Sequence, residues 1–97
     1  MIHIITATKH WEVSASRTEI EKWLQNHKEI AVVLADGYSG ENHFEGVLNA
    51  EGWRLFRNAV YRDLYLRAPD GEIIETNDNW ISGARKCLEI IANWQPS

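Results

Sequence analysis

The residues of this chain that could do chemistry are few and scattered. Four histidines stand at positions 3, 10, 27 and 43, and one cysteine at 87. His43 and Glu45 are two apart, which places both on one side of a strand, where they could offer two metal ligands. A zinc-type centre needs three or four protein ligands, and local sequence supplies no more. Neither a metal nor a cofactor is therefore expected. Asp36 follows a short apolar run, with Glu41 and His43 close behind in D-G-Y-S-G-E-N-H. Carboxylates and an imidazole at a strand end can share acid–base work if they converge. The plainer reading is a polar loop in which Asp36 closes an Asx-turn. Residues Asp36, Glu41, His43 and Glu45 form the candidate ligand or catalytic loop. Phosphate-binding glycine loops, paired C-x-x-C cysteines, H-E-x-x-H and G-x-S-x-G are all absent from the sequence. Cys87 falls in an apolar helical stripe, where a thiol serves as a small hydrophobe.

A second group suits binding rather than catalysis. Residues 53–67 contain Arg54, Arg57, Arg62 and Arg67 against only Asp63, a local charge of +3; with the net charge at −4, the remainder carries −7. Strand-like alternation from 43 to 67 turns Phe44, Leu48, Trp53, Leu55, Val60, Leu64 and Leu66 towards the core. The opposite face then carries Val47, Phe56, Tyr61 and Tyr65 among His43, Glu45, Arg54, Asp63 and Arg67. Aromatic residues and arginine are enriched at protein interfaces and dominate their energetics. Arg54, Phe56, Tyr61, Asp63, Tyr65 and Arg67 are accordingly the expected binding residues, for a protein partner or a second copy in a homodimer. A solvated face stabilised by cross-strand pairs is the plainer alternative. Stacking on single-stranded nucleic acid is a further one, disfavoured by the net negative charge.

The elements that must position these residues follow from periodicity. Residues 2–7 are apolar and β-branched and read as a strand; an irregular stretch follows through Trp11 and Val13. Ser16 and Glu19 form a capping box ahead of a helix over about 17–27, with Ile20, Trp23, Leu24 and His27 on one face. The continuous apolar run 30–35 reads as a strand buried on both faces. Asn49–Gly52 reads as a turn. Residues 53–57 read as a strand, although Asn49 could instead cap a helix carrying Trp53, Phe56 and Val60. Residues 60–67 alternate, Pro69-Asp70-Gly71 fits a tight turn, Ile73 and Ile74 lie in the next strand, and Asp78 or Asn79 caps a helix over about 79–94.

The expected fold is α+β in the order β-α-β-β-β-β-β-α. It would be an antiparallel meander of five to six strands with both helices packed on one face. Ninety-seven residues suit one domain, 1–97, with a core of its own. A single cysteine rules out an intramolecular disulfide, and no stretch reads as a signal peptide or membrane span, so a cytoplasmic address is expected. The strand–turn–strand–helix cadence of L-Y-L-R-A-P-D-G-E-I-I-E-T-N-D-N-W-I-S-G-A-R-K-C-L-E-I-I resembles the repeat of a family of small uncharacterised bacterial proteins. That resemblance covers roughly a third of the chain, lacks the family's duplication, and implies a local fold without an activity.

Overall fold

The computed structural model describes residues 1–35, 46–58, 60 and 62–96. Asp36, Glu41, His43, Glu45 and Tyr61 lie outside the described residues, as does Phe44. The element order is β1 (Ile2–Ile5), β2 (His10–Val13), α1 (Arg17–Asn26), β3 (Val32–Ala35), β4 (Gly46–Val47), β5 (Arg54–Arg57), β6 (Leu64–Arg67), β7 (Ile73–Glu75) and α2 (Trp80–Asn93).

The α+β class holds, but the single meander does not. Among the described residues the strands form two antiparallel sheets, one of four strands in the order β2-β1-β3-β4 and one of three in the order β5-β6-β7. The stretch read as irregular is strand β2. It returns on β1 after a tight turn in which Thr6 N–H donates to the Lys9 carbonyl (2.9 Å) and the Thr6 hydroxyl accepts from Lys9 N–H (3.1 Å). Each β2 residue faces a fixed β1 partner, His3 opposite Glu12 and Ile5 opposite His10.

The helices do not share one face. Strand residues alternate sides, and the two hydrophobic clusters divide by parity. Ile2, Ile4, Val33 and Ala35 pack with Ile20 and Leu24 of α1. Ile5, Val32 and Leu34 pack with Ala84, Cys87 and Leu88 of α2, together with Leu55, Leu64 and Leu66 of the second sheet. Continuous burial of β1 and β3 is what a strand covered on both sides requires. The apolar runs of the sequence thus reflect α1 on one side of the four-stranded sheet, and α2 with the second sheet on the other.

Local chemistry sets the boundaries. Ser16 Oγ accepts from Glu19 N–H (3.2 Å) and donates to the Glu19 carboxylate (3.1 Å), so the expected cap starts α1. Asn49 does not open a helix. Its side-chain amide donates to the carbonyls of His27 (2.8 Å) and Glu29 (2.7 Å), pinning the turn to the end of α1, and Gly52 continues that turn at φ +82°. Strand β6 starts at Leu64 rather than at residue 60, because Asn58 closes a longer hairpin loop. Its Oδ1 accepts from Val60 N–H (2.8 Å), its own N–H donates to the Asp63 carbonyl (2.8 Å), and Arg62 takes a left-handed φ of 62°. Val60, expected inside, is 78% exposed. The phase around β4 is also reversed: Val47 is buried and Leu48 is 42% exposed. The Pro69-Asp70-Gly71 turn is as expected, with Gly71 at φ +93° and its N–H donating to the Ala68 carbonyl (2.9 Å).

Candidate functional site

The second sheet carries four of the expected binding residues on one face. In its register Arg54 stands opposite Arg67, Phe56 opposite Tyr65 and Tyr65 opposite Glu75. Leu55, Leu64 and Leu66, of the other parity, are buried in the core. The outward face is therefore built from Arg54, Phe56, Tyr65 and Arg67, with Ile73 and Glu75 of β7 completing it. Phe56 and Tyr65 stack nearly parallel, ring centroids 5.2 Å apart and planes 15° from each other. Both are half-buried, whereas Arg54 and Arg67 are exposed and Ile73 is 54% exposed. Asp63 lies just before β6, half-buried at the rim of a small dent with Asn58, Tyr65, Glu75 and Asn77. Val47, expected on this face, belongs to the core instead.

The electrostatics of the face are unbalanced. Arg54 and Arg67 are a directly opposed cross-strand pair of like charge, an arrangement that is unfavourable by itself. Among the described residues, neither guanidinium has a hydrogen-bond or ion-pair partner. Glu75 is the one acidic side chain contributed to this face by the three strands.

Cys87 and His27 have structural roles. The Cys87 thiol is buried in the core, and burial pushes its pKa up to about 12. A thiol so held is protonated and inert at neutral pH. His27 stacks on Trp23 with ring centroids 3.5 Å apart, and Trp11 meets Trp23 edge-on at 5.1 Å. Trp23 and His27 extend the α1 core, as the helical spacing implied, and Trp11 joins them from β2. Two shallow grooves flank α2. One is lined by Thr6, Ala7, Arg85, Leu88, Glu89 and Ala92, the other by Glu75, Thr76, Lys86, Glu89, Ile90 and Asn93. Neither lining contains a histidine or a thiol.

The start of α2 is held by Asp78 rather than by the helix cap residue. Asn79 is the cap but makes no side-chain cap bond. The Asp78 carboxylate accepts from Ser82 Oγ (2.8 Å) and Asn79 N–H (2.9 Å), with Lys86 Nζ 3.4 Å away. These contacts, the Ser82 bond foremost, hold the Asp78 pKa below its ordinary value against a smaller opposing effect of burial. A carboxyl whose pKa is depressed on folding contributes stability above its unfolded pKa, and that contribution is lost as pH falls through the folded value. Asp78→Asn should therefore be less stable than the native chain at neutral pH. The gap should narrow steadily below about pH 4, as read by urea unfolding at a series of pH values. A gap that stays constant across that range would contradict this role.

Among the described residues there is a cluster that sequence reasoning missed. His3, His10 and Glu12 meet on the α2-facing side of the β1–β2 hairpin, and each offers one ligand atom within 4.8 Å of the other two. His3 Nδ1 lies 2.9 Å from His10 Nε2 and 3.7 Å from Glu12 Oε1. The available signal was the two-residue spacing of His10 and Glu12, the same logic that singled out His43 and Glu45. It went unread because residues 10–13 were not recognised as a strand.

The chain matches no family model, no curated protein and no solved structure.

Proposed function

We propose that this protein is a non-enzymatic protein-binding module whose β5–β6–β7 face receives an acidic segment of a partner protein. The observation that carries this reading is the opposed pair Arg54 and Arg67, exposed and without an anionic partner among the described residues, flanking the stacked Phe56 and Tyr65. A like-charge pair beside half-exposed aromatics is paired by carboxylates brought from outside. Charge-assisted bonds from arginine to carboxylate are among the stronger hydrogen bonds, and the arginine fork adds geometric selectivity. The rings and Ile73 offer the apolar anchor that interfaces need.

The same electrostatics argue against face-to-face self-association. A two-fold dimer through this surface would bring four arginines into one interface with only the two copies of Glu75 from these strands to balance them, since both subunits use the same patch. A long nucleic acid is disfavoured by the overall charge of −4, and two unpaired arginines give few phosphate contacts.

The test is a random-peptide display selection on the immobilised chain, followed by affinity measurement of the enriched peptides. Enrichment in Asp and Glu beside an apolar residue is expected, with binding that weakens as salt rises. Arg54→Glu and Arg67→Glu should each weaken it by about tenfold or more, the worth of a hydrogen bond to a charged group. Arg54→Glu also turns a like-charge cross-strand pair into an opposite-charge one. Its thermal stability should therefore hold or rise while binding falls, a combination that loss of folding cannot mimic. Peptides without acidic enrichment, indifference to both substitutions, equal binding of a single-stranded oligonucleotide, or a stable dimer through this face in light scattering would each overturn the reading.

A further inference from the structure

We propose that His3, His10 and Glu12 form a binding site for a divalent first-row transition metal of the zinc class, built on the β1–β2 hairpin and separate from the β5–β7 face. The hairpin register dictates the convergence. His3 stands directly opposite Glu12, and His10, paired with Ile5, is its diagonal neighbour on the same side of the sheet. The separations of 2.9 Å and 3.7 Å from His3 Nδ1 bracket the roughly 3.3 Å between ligand atoms that a tetrahedral ion at about 2.0–2.1 Å from each would set. The third separation, His10 to Glu12, is within 4.8 Å. It closes by rotation of two exposed side chains.

The donor set is specific in kind. Two imidazole nitrogens and one carboxylate suit zinc and its first-row neighbours rather than calcium or magnesium, which favour all-oxygen shells. The tautomers accommodate it without loss of a proton. The contact between His3 Nδ1 and His10 Nε2 holds one shared hydrogen, and a metal at both atoms requires the ring protons on His3 Nε2 and His10 Nδ1 instead. The ion then takes the place of that hydrogen and is balanced in part by the Glu12 carboxylate. Three protein ligands leave a fourth position open to water.

The setting is preorganised on one side. His3 is 6% exposed and its ring is met edge-on by Trp80, centroids 5.0 Å apart. Trp80 itself sits at φ +55°, a left-handed conformation unusual for a bulky residue. The buried imidazole is thus fixed by its strand and an aromatic wall. His10 and Glu12 reach it from the solvent side.

The experiment is calorimetric titration of zinc chloride into the tag-free, chelator-stripped chain, with thermal melting alongside. One zinc ion per chain is expected. The melting temperature should rise by about 5 °C or more once free zinc exceeds its Kd by about tenfold. Glu12→Gln, at an exposed position, should keep the metal-free melting temperature, and both it and His10→Ala should weaken zinc uptake by about tenfold or more, since even a lost supporting contact to a metal ligand has that effect. His27→Ala should bind zinc as the native chain does. No saturable uptake by the native chain, or uptake that His10→Ala and Glu12→Gln leave unchanged, would overturn the proposal. Peptide binding at the β5–β7 face is read separately and is indifferent to either result.

Discussion

Leu66→Ala is expected to lower the unfolding free energy by about 2–5 kcal/mol, whereas Leu48→Ala should cost less than about 1 kcal/mol. The difference arises from where the two leucines sit. Leu66 is wholly buried in the middle strand of the second sheet, with Leu55 and Ile74 opposite it on either side. It belongs to the cluster that joins both sheets to α2, so truncation leaves a cavity that neighbours on three elements must close. Leu48 is 42% exposed and surrenders little. Alternation in the sequence puts both residues on the core side, and only the observed phase of β4 separates them. For a domain of this size the Leu66 effect amounts to a fall in melting temperature on the order of 10–30 °C, readable by thermal unfolding of the two variants side by side. Equal losses at both positions would mean that β4 is packed in the opposite phase.

Gly83→Ala should destabilise the protein although alanine is the better helix former. In an exposed helix interior the change is worth about 1 kcal/mol in the favourable direction. Here an added Cβ would lie 2.8 Å from the Asp78 carbonyl oxygen, 3.0 Å from its carbon and 3.2 Å from Leu64 Cδ1. That carbonyl cannot retreat cheaply. It already accepts from Leu64 N–H (2.8 Å) and lies 3.0 Å from the Thr76 hydroxyl, which itself donates to the Leu64 carbonyl at 2.6 Å. Overpacking against such a point costs about 1–3 kcal/mol. The net change should be a loss, seen as a lower urea midpoint with an unchanged slope. A gain in stability would show that the 76–78 turn yields, and that Gly83 is not what lets α2 approach β6.

The elements legible in the sequence were those with strong local signals. Ser16 and Glu19 announce α1, the stripe through Ala84, Cys87 and Leu88 announces α2, and Pro69-Asp70-Gly71 announces the β6–β7 turn. β2 was missed because His10–Val13 is only partly covered and carries one β-branched residue in four. Without β2, β1 is not recognised as an inner strand and the four-stranded sheet is lost. Which strands pair is a long-range choice that periodicity does not encode; a single meander and two sheets share the same alternation. The phase error at Val47 and Leu48 has the same origin, since β4 holds two residues and its register comes from β3, not from its own pattern.

The candidate sites divide along the same line. Arg54, Phe56, Tyr65 and Arg67 were legible as a face because each pair sits within one strand and strand parity suffices to align them. Their unbalanced charge became visible only when β5 and β6 were in register, with Arg54 opposite Arg67. Of His3, His10 and Glu12 only the two-residue spacing of the last two is legible, because convergence with His3 depends on the hairpin turn at 6–9 and on the pairing of β1 with β2. The loop of Asp36, Glu41 and His43, with Glu45, and the aromatic Tyr61 fall outside the described residues and take no part in either proposal.

The most direct test of the central claim is to map where an acidic peptide lands. A peptide enriched by selection is titrated into isotope-labelled protein and the backbone amide resonances are followed. Saturable shifts are expected to concentrate in Arg54–Arg57, Leu64–Arg67 and Ile73–Glu75, with their midpoint moved together to about tenfold higher peptide concentration or more by Arg67→Glu. Saturable shifts centred on α1, on the grooves beside α2 or on the β1–β2 hairpin, with these three strands unmoved, would contradict the claim.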